Sequence, residues 1–184
     1  MKNFYIGLIH SPVLRNGAAI TSSITNLDLH DIARVCATYG LGGYFVIHPD
    51  EKMRSIAEQL ASHWTEGEGK TYNPDRFKAL QVMEIVPSLD EAEKTIEEKW
   101  GVRPVTVGTT ARKKEKEKSV TINGLIEEKN KPVLILFGTA GGMEDNFLNS
   151  LDFLLEPIDL GTGYNHLSVR SAVSIFIDRL SRTD

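Results

Sequence analysis

The chain has a single cysteine, no hydrophobic run long enough to cross a bilayer, and no surplus of positive charge. Cys36 alone cannot form an internal disulfide, so a hydrophobic core must hold the fold; lying in an apolar helical pattern, it is expected to be a buried thiol in a reducing compartment. No apolar stretch approaches the ~18 residues of a membrane span. The first residues lack the charged, apolar, small order of a secretory signal, and the expected location is the cytoplasm. A formal net charge of −4 gives no whole-molecule field that draws in nucleic acid or anionic membrane, so any RNA contact must be local. The five histidines are scattered and no Cys/His spacing resembles zinc ligation, so no metal site is expected. A GxGxxG fingerprint, a Walker lysine and a GxSxG elbow are also missing.

What is present is the composition of a globular protein. Hydrophobic residues make up 41% and charged residues 25% of 184 positions, which fits one domain over residues 1–184 with one core. Strand-length apolar runs alternate with stretches of helical periodicity, the pattern of βαβ units and an α/β fold with a mainly parallel sheet flanked by helices. The expected strands are Phe4–His10, Tyr44–His48, Leu80–Val86, Pro104–Gly108 and Pro132–Gly138.

Between them, Leu29, Ile32, Ala33, Cys36 and Ala37 recur at helical spacing; Thr25 and Asp28 supply a capping box, and Gly40 or Gly42 a stop. Met53, Ile56, Ala57, Leu60, Ala61 and Trp64 repeat that spacing, and the polar stretch Glu66–Asn73 then reads as an exposed loop. Ser88 and Glu91 cap a helix carrying Leu89, Ala92, Ile96 and Trp100. A last helix is expected over Leu167–Leu180. Trp64 and Trp100 read as core or interface anchors.

In a parallel sheet, ligands collect at the carboxyl ends of the strands, where loops expose main-chain groups and helix N-termini. Three late loops qualify. VGTTARKK follows the fourth strand, with Gly108 closing it and Thr109 or Thr110 placed to cap a turn. FGTAGGM, Phe137–Met143, follows the fifth, with Gly138, Gly141 and Gly142 permitting positive φ and close approach of main chain to a ligand. IDLGTGYNHLSVRSAV carries Gly161 and Gly163 into the last helix through Asn165, His166 and Ser168. Each alone also suits an ordinary turn, and His166 a residue with no ligand. Main-chain-rich loops without a charged catalytic cluster suit methyl transfer, because S-adenosylmethionine already carries the reactive methyl and the protein mainly aligns donor and acceptor.

Together these loops resemble the SPOUT (α/β-knot) superfamily of RNA methyltransferases. Their order is similar to the branch that methylates ribose hydroxyls of tRNA or rRNA, and the chain also resembles a bacterial family of SPOUT enzymes related to tRNA guanine-N1 methyltransferases. DLHDIARVCATYGLGGYFVIHP, Asp28 through Pro49, is similar to a first motif in which a helix arginine precedes a glycine and an apolar strand; Arg34 takes the arginine's place. VGTTAR matches the loop after the fourth strand, FGTAGGM the second motif and HLSVRSAV the third.

The resemblance implies a C-terminal trefoil knot and a homodimer that completes the active site on an RNA substrate, tRNA or rRNA. It implies that S-adenosylmethionine is held by Thr109 and Thr110, by Phe137, Gly138, Thr139, Ala140, Gly141 and Gly142, and by Ile158, Leu160, Gly163, Tyr164, Asn165, His166, Leu167 and Ser168. Arg34 becomes the catalytic candidate; its alternative is a solvated arginine paired with Asp31 or His30. The chain departs from the family pattern where Asp28, Leu29 and His30 replace Asn-Ile-Gly, Ala140 replaces a glutamate and His166 an asparagine. These changes touch the methyl acceptor more than the cofactor pocket and leave a non-catalytic S-adenosylmethionine-binding dimer as the second reading. An unrelated nucleotide-binding enzyme is the third. The basic run RKKEKEK, Arg112 to Lys118, is either a contact for RNA phosphate or a solvated loop.

Overall fold

In the computed structural model, which describes residues 1–67, 69–112, 119–126 and 131–182, one parallel sheet organises the chain. Its strands are β1 (Phe4–Ile9), β4 (Gly43–Ile47), β5 (Met83–Val86), β6 (Val105–Gly108), β7 (Ser119–Val120), β8 (Val133–Gly138) and β9 (Phe153–Leu155). They lie in the order β5-β4-β1-β8-β6-β9-β7, and each paired neighbour is parallel. A separate antiparallel hairpin joins β2 (Val13–Arg15) to β3 (Ala18–Ile20). The helices are α1 (Asn26–Tyr39), α2 (Glu51–Thr65), α3 (Gly69–Tyr72), α4 (Pro74–Leu80), α5 (Leu89–Trp100), α6 (Ile122–Ile126), α7 (Asp145–Ser150) and α8 (Val169–Ser181).

The pleat explains the three layers. In β1, Phe4, Ile6 and Leu8 face a core shared with α1, α2, α4, α6 and α8, while Tyr5 and Ile9 face a second core under α5 and α7. In β8, Val133, Ile135 and Phe137 join the first core, and Leu134 and Leu136 the second. Both faces are covered, which is why these strands are apolar throughout rather than alternating.

The expected caps form. Thr25 Oγ1 accepts from Asp28 N–H at 3.2 Å, and Gly40 ends α1 at φ 64°, the left-handed form that favours glycine. Ser88 caps α5 and Ser168 caps α8, so the last helix begins at Val169 rather than Leu167. Cys36 is buried in the core, and burial pushes its thiol up to about 12. Among the described residues, no helix is long and apolar enough to cross a membrane.

Four expectations need correction. Ala37 and Ile56 are exposed on α1 and α2 rather than part of the core. Leu80 belongs to α4 rather than to a strand, and β5 starts at Met83. Within Glu66–Asn73 the chain is not a plain loop, since α3 occupies Gly69–Tyr72. Asn73 then caps α4 through Oδ1, which accepts from Arg76 N–H at 3.0 Å, and Pro74 fills the first turn. The Arg76 guanidinium sits 4.2 Å from the Trp64 ring, holding this segment against α2. Glu68 lies outside the described residues. Trp100 is partly exposed and donates from Nε1 to Tyr5 Oη at 2.8 Å.

Candidate active site

The parallel sheet places the ends of β6 and β8 side by side. Thr109 extends the ladder past β6: its N–H and its Oγ1 both donate to Leu136 O, at 3.0 and 2.9 Å. Thr110 Oγ1 accepts from Arg112 N–H at 3.2 Å and turns the chain. Arg112 then reaches the loop after β8, donating from Nη2 to Met143 O at 2.9 Å and pairing with Asp145 at 2.7 Å. From the other side, Asn165 Nδ2 donates to Ala111 O at 2.6 Å. The three loops singled out in sequence therefore meet at Ala111 and Arg112. This gives Arg112 a place in the junction, while residues 113–118 of the basic run lie outside the described residues.

The loop after β8 uses its small residues unequally. Gly142 takes positive φ, 90°, as does Ala140 at 52°, an uncommon conformation for a residue with a Cβ. Gly138 and Gly141 do not; they are needed for lack of space. A Cβ on Gly138 would stand 2.6 Å from Met143 N, and one on Gly141 2.7 Å from Leu14 O. The hairpin strand β2 lies along this loop, with Gly141 N–H donating to Leu14 O and Leu14 N–H to Gly142 O, both at 2.8 Å. Phe137 is a buried strand residue with its ring 5.9 Å from Phe176, so its side chain belongs to the core.

The third loop is open. Leu160 is 82% and Tyr164 71% exposed, Leu167 is exposed beside them, and Gly161 and Gly163 take positive φ with nothing within 4 Å of an added Cβ. Ile158 packs against the core, Tyr164 stacks edgewise on His166, and Ser168 Oγ caps α8 by accepting from Ser171 N–H at 3.2 Å. Arg34 is exposed on α1 and lines a surface cavity of about 850 Å³ with Thr38, Tyr39, Ser168, Arg170 and Ser171. Asp31 is not its partner: Arg170 stands 3.6 Å from both Asp31 and Asp28. Among the described residues Arg34 makes no ion pair, and it lines the cavity. Asp28, which departs from the family pattern, accepts from Thr25 Oγ1 at 2.6 Å as part of the helix cap, and Leu29 is core.

Sequence reasoning missed a buried polar cluster at the ends of β1, β4 and β8. His10 and His48, read as scattered, have ring centroids 5.4 Å apart. Burial first, and His48 second, hold His10 down at about 4, against a backbone hydrogen bond to Ser22 that raises it. Ser22 Oγ lies 3.0 Å from His10 Nδ1 and also bonds Thr139 Oγ1. The contact spans 117 residues, so only the expectation that β1 and β8 pair could have suggested it. Among the described residues, no group of His, Cys, Asp and Glu is placed to hold a metal.

Against known proteins, the model of a family described as SAM-dependent RNA methyltransferase matches residues 3–182. The chain belongs to that family. A tRNA (guanine-N(1)-)-methyltransferase of Oleidesulfovibrio alaskensis is 42% identical over 180 residues, 97% of this chain but only 42% of that protein, so the chain spans less than half of its relative's length. Two solved structures share the SPOUT fold at low identity. The TrmH/SpoU tRNA modifying enzyme of Aquifex aeolicus aligns with a TM-score of 0.60 and 14% identity, covering 99% of this chain and 75% of that one. The SpoU methyltransferase AviRb of Streptomyces viridochromogenes, solved with AdoMet, gives 0.62 and 14%, covering 99% and 58%.

The family's cofactor can be tested against the loops themselves. Adenosine presents a flat apolar face and a polar edge. The third loop offers exposed Leu160, Tyr164 and Leu167 alongside main chain opened by Gly161 and Gly163. Apolar surface left uncovered beside accessible peptide groups is what such a ligand requires. The residues present fit S-adenosylmethionine.

Proposed function

We propose that this chain is an S-adenosylmethionine-dependent methyltransferase acting on a tRNA or rRNA nucleotide. The observation that carries the reading is the meeting of three loops at Ala111 and Arg112, with Ser168 shared between the third loop's end and the cavity that Arg34 lines. Thr109 and Thr110, the Gly138–Gly142 main chain, and the Ile158–Ser168 loop would hold the cofactor; Phe137 would contribute backbone only. When bound, S-adenosylmethionine supplies an activated methyl group. The protein's part is to align the acceptor and exclude water, and Arg34 is placed to orient the accepting group or help its proton leave.

Supporting features extend the proposal. A second copy beside this open loop, as expected of a homodimer that completes the site, would cover whatever of Leu160, Tyr164 and Leu167 the cofactor leaves exposed. The run from β9 to α8 returns to Ala111 beside β6, as a C-terminal trefoil knot requires. The cytoplasm, where tRNA and rRNA are met, is the proposed location. The test is incubation of the full chain with methyl-labelled donor and total tRNA and rRNA. Label in RNA that disappears with Arg34→Ala supports the reading. Saturable cofactor binding with no label in any RNA would replace it with that of a non-catalytic binding module.

A further inference from the structure

The chain between β1 and α1 leaves and returns at one point beside the glycine loop. Ser22 N–H donates to His10 O at 2.8 Å, closing the excursion; between these residues Leu14 bonds the glycine loop, and Pro12 O accepts from Glu144 N–H just beyond it at 3.2 Å. The hydroxyls inside this clasp are linked. Thr139 Oγ1 donates to Ile9 O at 3.3 Å, Ser22 Oγ bonds Thr139 Oγ1 and lies 3.0 Å from His10 Nδ1, and with the His10 proton on Nδ1 each hydroxyl donates once and accepts once; Ser22 Oγ also stands 3.4 Å from His10 O. His48 grips Ser22 from β4. Its Nδ1 accepts from Asp50 N–H at 3.1 Å, which leaves Nε2 to donate to Ser22 O at 3.0 Å. His10 is fully buried, and among the described residues its Nε2 has no partner.

Two imidazoles and two hydroxyls at the ends of three core strands cost free energy that apolar side chains would not. Their chain runs through Thr139, whose carbonyl accepts from Gly142 N–H at 2.9 Å and so sets the first turn of the glycine loop. We infer that His10 and Ser22 are positioning residues for the Gly138–Met143 loop: they fix Thr139, and Thr139 fixes the main chain that receives S-adenosylmethionine. The inference rests on the function proposed above.

The experiment is calorimetric titration of S-adenosylmethionine into the full chain and into His10→Leu, His10→Asn and Ser22→Ala, together with amide hydrogen exchange of the ligand-free proteins. His10→Leu and Ser22→Ala should each weaken binding by about tenfold, the scale of one lost buried hydrogen bond. His10→Asn, which keeps a donor toward Ser22, should stay within about twofold of the parent. Exchange at Gly141 and Gly142 should quicken in the two weakened variants and not in His10→Asn. Folded Ser22→Ala, which removes one oxygen only, keeps the test open if His10→Leu fails to fold. Unchanged affinity and unchanged exchange in Ser22→Ala would overturn the inference while leaving the proposed function standing. No binding by the parent chain would instead overturn the proposed function, and this inference with it.

Discussion

Acid should weaken this fold through one residue by an amount that can be worked out. His10 has an ordinary value of 6.5 and is held at about 4 in the folded chain, first by burial and then by His48. Between those values the unfolded chain takes up a proton that the folded chain refuses, so stability falls as pH drops from 6.5 toward 4. One pKa unit corresponds to about 1.4 kcal/mol, so the full contribution is about 3 kcal/mol, with about 2 kcal/mol of it lost by pH 5. That is a large share of the ~5–15 kcal/mol that holds a domain together. The titratable group facing His10 is His48; the other near neighbours, Ser22 and Thr139, are neutral hydroxyls. Urea unfolding of the parent and of His10→Asn at pH 7, 6, 5 and 4.5 isolates the effect, because carboxylates and the other histidines are common to both. The difference between the two curves should shift in favour of the variant by about 2 kcal/mol from pH 7 to pH 5. A difference that stays flat across that range would refute the reasoning.

Other perturbations test the loops. Gly138→Ala puts a Cβ against the Met143 main chain, which has no flexible end to move, and should lower stability by about 1–3 kcal/mol in thermal or urea melts. Ala140→Gly, at φ 52°, should leave stability within about 0.5 kcal/mol or raise it, whereas Gly142→Ala, at φ 90°, should cost about 1 kcal/mol or more in the same melts. Asn165→Ala removes the bond to Ala111 O and should weaken S-adenosylmethionine binding by about tenfold in calorimetry with little change in melting. Arg34→Ala should lower methyl transfer by about a hundredfold or more and leave cofactor affinity within about twofold; collapse of affinity would mean that Arg34 does not act at the acceptor.

The sheet was legible because burial on both faces makes each long strand a run of apolar residues bounded by Gly, His or Pro, as in Phe4–Ile9 and Val133–Gly138. Helices announced themselves where a cap accompanied the period, at Thr25 and Ser88. Elements of two to four residues, such as β7, β9 and α3, carry too few positions to show a period. The β2–β3 hairpin was hidden for the same reason, although Asn16-Gly17 at its tip, both at positive φ, is a turn signal that could have marked it. Of the site, glycine and threonine content pointed to the right loops. The Asn165 to Ala111 bond and the His10–Ser22–Thr139 chain were invisible, because both join residues that only the folded sheet brings together. Of the two reasons offered for Gly138 and Gly141, positive φ does not apply, and the close approach is to the protein's own main chain at Met143 and Leu14.

The most direct measurement is a backbone amide spectrum of the chain titrated with S-adenosylmethionine. The account predicts that signals from Thr109–Arg112, Thr139–Met143 and Leu160–Ser168 move together, along a single saturating curve. Shifts confined to one of these loops, or centred on the opposite, amino end of the strands near Val102 and Phe153, would contradict it.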